Sequence, residues 1–143
     1  MAKLSSTKAE LVWEGISRVH CSMIAALEKD MVPAAGITLG WYAVLASLHR
    51  APATMLRFQD LAKVAGLTDS GASRRLNQMI GAGLIDRHSC PTDRRGVYAK
   101  LTAKGKATHA KAHAVFVNSL QDKLGSRLDP ADADVVQAVL ARL

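Results

Sequence analysis

The spacing of apolar residues changes period once along this chain and then changes back, and that switch limits the folds open to it. Up to Gly81 the apolar positions recur every three or four residues, between Leu84 and Leu101 they alternate, and from Thr102 the helical spacing returns. The first helix is predicted from Lys8 to Met31, with Val12, Ile16, Val19, Met23 and Leu27 in phase and Pro33 and Gly36 as breakers. Thr38 is placed to cap a second helix, Leu39 to His49, which turns Tyr42, Leu45 and Leu48 inward and ends before Pro52. A third, Phe58 to Ala65, stops at Gly66; Thr68 then caps a fourth that reaches Ile80 and is closed by Gly81 and Gly83. Leu84 to His88 and Val97 to Leu101 are short strands, and Ser89 to Gly96, holding Pro91 and Gly96, reads as the turn between them. Beyond Thr102, Ala107, Ala110, Ala114, Val117, Leu120 and Leu124 share one side of a long helix. Asp129 and Pro130 open the last helix, whose stripe is Val135, Val136, Val139, Leu140 and Leu143, with Asp132 and Asp134 near its positive end.

Four helices, a hairpin and two helices make a mainly α fold with a small β-hairpin. The third and fourth helices form a helix-turn-helix, and the hairpin is its wing. One domain is expected over 1–143, with a winged helix-turn-helix lobe at about 38–101. The flanking segments, about 8–36 and 102–143, carry more apolar surface than a small monomer covers, so they are expected to be dimerisation helices paired across a two-fold axis. Apolar residues are 49% of the chain, which excludes disorder. No apolar run reaches the roughly 18 residues of a membrane span, and Met1 to Thr7 is polar, so a cytoplasmic protein with no membrane partner is expected. Cys21 and Cys90 are too few for a disulfide framework or a four-cysteine zinc site.

Charge is unevenly placed. The stretch from Arg57 to Lys106 holds ten lysines and arginines against four acids, and so carries six of the net seven positive charges. A basic centre between near-neutral ends suits a phosphate-rich partner, although charge alone also describes a solvated basic surface. On the fourth helix, Ser70, Ser73, Arg74 and Asn77 fall on one face and Ala72, Leu76, Met79 and Ile80 on the other. Hydroxyl, amide and guanidinium groups on such a face read base edges in a major groove, Gly71 allows close backbone approach, and Arg75 at the margin suits phosphate. The turn Cys90-Pro91-Thr92-Asp93-Arg94-Arg95-Gly96 presents two arginines, and an arginine on a protruding tip suits a narrow minor groove. Asp93 is expected to orient Arg95 by a charge-assisted hydrogen bond.

Gly83-Leu84-Ile85-Asp86-Arg87, then Asp93-Arg94-Arg95, then Leu101-Thr102-Ala103-Lys104-Gly105 resemble the wing signature of the MarR family of winged helix-turn-helix transcriptional regulators. Leu67-Thr68-Asp69-Ser70 with Ser73-Arg74, and Ile37-Thr38 with Val44-Leu45, are similar to its recognition helix and second helix. The resemblance runs from about Lys8 to Leu143. It implies a homodimer on a pseudo-palindromic duplex operator, with half-sites roughly 34 Å apart. Thr68, Ser70, Gly71, Ser73, Arg74, Arg75 and Asn77 would be its recognition-helix contacts, and Arg87, Asp93, Arg94 and Arg95 its wing contacts. Asn77 stands where the family usually has an acid, so its brace to Arg87 becomes a neutral hydrogen bond. Trp41 stands where a glutamine is common.

The resemblance also implies a small aromatic or phenolic effector. His20, Met23, Trp41, Tyr42 and His49 either line such a space or serve as core and interface residues; aromatics at 4% of the chain furnish a pocket sparsely. Cys21 or Cys90 would sense oxidants only if exposed and acidic, and a buried thiol is otherwise a small hydrophobe. His109 and His113 are four apart, a metal-binding spacing, but nothing in sequence completes a site and they read as solvated. No metal or cofactor is expected. A repressor is the favoured reading. A winged helix that binds protein is the first rival, disfavoured by the polar recognition face. An enzyme is the second, with no phosphate loop, nucleophile elbow or carboxylate pair in the sequence.

Overall fold

The structure is a computed structural model that describes residues 4–64, 69–90 and 92–143; the expected stop at Gly66 and cap at Thr68 lie outside the described residues. The first helix, α1 (Ser6–Ala35), starts at Ser5, whose hydroxyl accepts the Lys8 N–H. It runs through Pro33 instead of breaking there. A proline so near the end removes a single i→i−4 bond, and its fixed φ is already helical. Gly36 stops the helix, in the left-handed region at φ 74, with its N–H on the Val32 carbonyl.

α2 (Leu39–Arg50) is capped twice: Thr38 Oγ1 accepts the Trp41 N–H at 3.2 Å, and Glu28 of α1 accepts the Leu39 N–H at 2.5 Å. Two N–H groups that a helix start leaves without intrahelical partners are thereby satisfied. Tyr42, Val44, Leu45, Ala46, Ser47 and Leu48 are all buried, so this helix is the axis of the core. Around it pack Met31 of α1, Leu61 of α3 (Phe58–Val64), Leu76 and Met79 of α4 (Asp69–Gly81), and Ala112 of α5 (Ala103–Leu120).

The hairpin supplies Ile85, Ala99 and Leu101 to the same core. Its strands, β2 (Ile85–Cys90) and β3 (Asp93–Leu101), pair from Ile85 opposite Leu101 to Ser89 opposite Val97, with an irregularity after Ser89. The ladder therefore extends through most of the segment expected to be a turn. Polar composition marks exposure there, while backbone pairing continues almost to the tip. A third strand, β1 (Met55–Arg57), adds to β3 with Leu56 opposite Ala99, and the sheet order is β1-β3-β2. Three residues are too few to show alternation, so no periodicity announces this strand.

The α4-to-β2 corner closes on Gly83 at φ 73: Leu84 N–H bonds to Met79 O at 3.0 Å and Gly83 N–H to Ile80 O at 2.9 Å. This paired arrangement satisfies the last carbonyls of α4. At the β3-to-α5 corner, Thr102 Oγ1 accepts the Gly105 N–H at 2.9 Å and its hydroxyl donates to Gly83 O at 2.7 Å, so one side chain caps α5 and ties it to the start of the wing.

α5 has two faces. Gly105, His109, Ala112 and Ser119 are buried, whereas Ala107, Ala110, Ala114 and Val117 stand exposed. Ser119 donates to Asp30 of α1 at 2.6 Å and Lys123 pairs with the same carboxylate, which their hydrogen bonds hold below the usual range. A π-helical turn, Gln121–Gly125, follows, and then α6 (Pro130–Leu140), capped by Asp129 as expected. Every residue of α6 is exposed, its apolar stripe included, and Trp13 near the start of α1 is 69% exposed. No single described helix is long and apolar enough to cross a membrane.

Candidate nucleic-acid interface

α4 divides as its periodicity predicts. Ala72, Leu76 and Met79 are buried, and Ser73, Arg74, Asn77 and Gln78 are exposed along the other side. Ser70 and Gly71 lie in the first turn, while Thr68 falls outside the described residues. Arg75 turns back toward α2. A Cβ at Gly40 would stand 2.6 Å from its Nη1, so the guanidinium lies in the space that a glycine leaves.

The wing root is tied to α4 and α3. Arg87 of β2 donates to Asn77 Oδ1 at 2.9 Å, the neutral brace expected, and its guanidinium lies 5.1 Å from the Phe58 ring centroid. Its charge remains at the exposed surface between β2 and α4.

Toward the tip, the Asp93 carboxylate holds a different arginine from the one expected. It accepts from the Arg57 guanidinium and from the Tyr98 hydroxyl at 3.0 Å, and it meets Arg95 through that residue's backbone N–H. Arg57 Nε also donates to the Tyr98 oxygen at 2.9 Å, and the guanidinium sits 5.6 Å from the ring centroid. Asp93 folds inward over position 96, where a Cβ would stand 2.2 Å from Oδ2, so only a glycine leaves room for the carboxylate. β1 brings Arg57 to that spot. The Tyr98 hydrogen bond and then the Arg57 charge hold the Asp93 carboxyl below its usual range, and Tyr98 and then the Asp93 charge hold Arg57 above its own. Arg94 and Arg95 remain exposed, with no ion pair among the described residues.

These parts face one another across a cleft of about 400 Å³ whose walls include Arg57, Ser73, Asn77, Arg87 and Arg95. A polar helix face and a cationic strand pair thus bound one open groove, with three guanidinium groups on its rim. Arg57 was counted in the basic stretch but not singled out; only the pairing of β1 with β3 reveals its place.

Away from this face, Tyr42 and His49 join residues that the sequence kept apart. Tyr42 Oη is 2.8 Å from His113 Nδ1, and its ring lies 4.7 Å from Phe116. His109, expected in solvent, is buried: its ring stacks on His49 at 4.3 Å and lies parallel to Tyr42 at 5.8 Å. The helical face of α5 that meets α2 carries His109, because Gly105 and Ala112 set that phase. Burial, then the neighbouring His49, His113 and Arg50, hold its pKa below the ordinary 6.5. Trp41 and Met23 are half-buried and His20 is exposed. Among the described residues no three metal-ligating side chains converge. Cys21 is exposed on α1; Cys90 is half-buried near the wing tip, where hydrogen bonds from the Thr92 hydroxyl, 3.0 Å away, and backbone lower the thiol pKa.

Residues 35–96 match the model of the MarR family. AbsC of Streptomyces coelicolor, a MarR family transcriptional regulator, superposes with a TM-score of 0.85 at 29% identity, over 98% of this chain and 93% of that one. Sco3205 of the same organism, solved in complex with DNA, gives 0.85 at 24% identity over 99% and 88%. A cysteine-to-serine mutant of E. coli MarR, solved with operator DNA, gives 0.82 at 24% over 98% of each chain. The matched segment spans the helix-turn-helix and the wing tip, and the likeness of fold to MarR family transcriptional regulators extends through the terminal helices.

Proposed function

We propose that the protein binds duplex DNA sequence-specifically as a homodimer and represses transcription. One observation carries this reading: the exposed Ser73 and Asn77 of α4 and the wing's Arg87 and Arg95 border a single open groove. α4 enters the major groove, with Ser70, Ser73, Arg74 and Asn77 toward base edges. Arg94 and Arg95 reach the flanking minor groove, where the negative potential is strongest. Two relatives that share the fold, Sco3205 and E. coli MarR, are seen on DNA. The bare apolar stripes of α1, α5 and α6 find cover in a second copy, which sets two reading heads on one side. A compact pair seated on a promoter represses by occupying the polymerase's path.

Binding is released by a signal, either a small aromatic effector near Tyr42 and His49 or oxidation of Cys90 beside the reading groove. Selection of bound sequences from a random duplex library tests the core reading. The expected result is a palindromic motif with half-sites about one helical turn apart and affinity that falls steeply with salt. A library that yields no motif overturns it.

A further inference from the structure

Arg57 lies outside both the recognition helix and the wing, on a three-residue strand, yet its guanidinium makes the contacts that hold the wing's bend. It pairs with Asp93, the first residue of β3, and donates to the Tyr98 oxygen, which in turn donates to the same Asp93 carboxylate. Three polar groups from two neighbouring strands therefore close one ring of hydrogen bonds. Within it the carboxylate also takes the backbone N–H groups of Arg95 and Gly96. Such a ring fixes backbone as well as side chains, because the N–H groups it binds include that of the residue proposed to enter the minor groove. Phe58, next in sequence to Arg57, lies under Arg87, whose other contact is Asn77 of α4. The chain thus touches the wing tip through the last residue of β1 and the wing-to-α4 brace through the next.

Building on the proposed DNA-binding role, we infer that Arg57 is a positioning residue: with Asp93 and Tyr98 it fixes the wing tip against α4, so that Arg95 and the recognition helix address adjacent grooves together. The alternative for an exposed arginine on a groove rim is direct contact with phosphate. The two roles differ in sign at Asp93. If charge alone mattered, removing that carboxylate would strengthen attraction to DNA; if the ring positions the wing, removing it weakens specific binding.

The test measures fluorescence anisotropy of the 143-residue chain and its Arg57→Ala, Asp93→Asn and doubly substituted forms, on a selected duplex and on a random one, at several salt concentrations. The ring predicts that Asp93→Asn loses affinity for the selected duplex, on the order of fivefold, despite the gain in positive charge. Random-duplex binding is unchanged or tighter. The double substitution is no weaker than Arg57→Ala alone, because both break one ring. The inference is overturned if Asp93→Asn tightens or leaves unchanged the selected complex, if the two losses multiply, or if Arg57→Ala alone reduces the salt dependence by a full phosphate contact per subunit. Should Arg57→Ala not fold, the sign of the Asp93→Asn effect decides alone. Wild-type protein that binds no duplex overturns the DNA reading itself, and with it this role.

Discussion

Gly105 sits so near the start of the wing that a Cβ there would stand 2.0 Å from the Leu84 carbonyl oxygen. The clash is with backbone, so no rotamer relieves it. Gly105→Ala should cost about 1–3 kcal/mol, read as a lower urea midpoint with an unchanged slope; a midpoint equal to wild type would show that the corner yields. The sequence marked this glycine only through its place in the Leu101 to Gly105 motif, since the oxygen that excludes a methyl group lies at the start of the wing. Asn77 was more legible: the family resemblance set it where an acid usually braces an arginine like Arg87, and their hydrogen bond forms at 2.9 Å. Asp93 was misread for the same reason that Gly105 was opaque. Its nearest basic neighbours in sequence are Arg94 and Arg95, but β1 delivers Arg57, thirty-six residues away.

The α2–α5 contact carries the chain's one buried histidine among the described residues, and its titration belongs to the pair of helices. His109 is faced by His49 and Tyr42 of α2, with Arg50 beyond, and by His113 of its own helix. In the unfolded chain its ring takes a proton near the ordinary 6.5; in the folded chain it does so only at lower pH. The unfolded state therefore binds more protons in that interval. This contribution to stability is whole above pH 6.5 and is lost as the pH falls through the folded value. Thermal melts between about pH 7.5 and 5 should show a falling midpoint. His109→Phe, which keeps a ring in the stack and removes the charge, should flatten that fall, and an unaltered pH slope would assign it elsewhere. Helical period alone located α2 and α5, and caps at Thr38 and Asp129 were read correctly from their side chains. The facing of His109 was not, because period picked out the side of α5 with Ala107, Ala110, Ala114 and Val117, whereas Gly105, His109 and Ala112 are buried.

For the molecule as a whole, the terminal elements hold the surface that one subunit leaves bare. Val135, Val136, Val139 and Leu140 of α6, with Leu11, Val12 and Trp13 of α1, are all more than 40% exposed. Val136→Glu with Leu140→Glu should move the protein from dimer to monomer in sedimentation and weaken operator binding steeply, since each half-site alone holds little. A double variant that sediments as wild type would place the contact on other faces. The overall order of elements and the surplus of apolar stripes were legible from composition and period. The short strand and the depth of the hairpin were not, because both exist only as pairing between distant segments. One carboxylate also links the bare helix to the reading head. Glu28 of α1 accepts the first N–H of α2, next to Gly40, on which Arg75 of α4 rests. The positive end of α2 and a guanidinium of α4 are thus neighbours, and the anion that caps that helix end comes from α1. Neutralising Glu28 would weaken the cap on the first turn of α2, the turn that carries Gly40 and against which Arg75 of the proposed recognition helix lies.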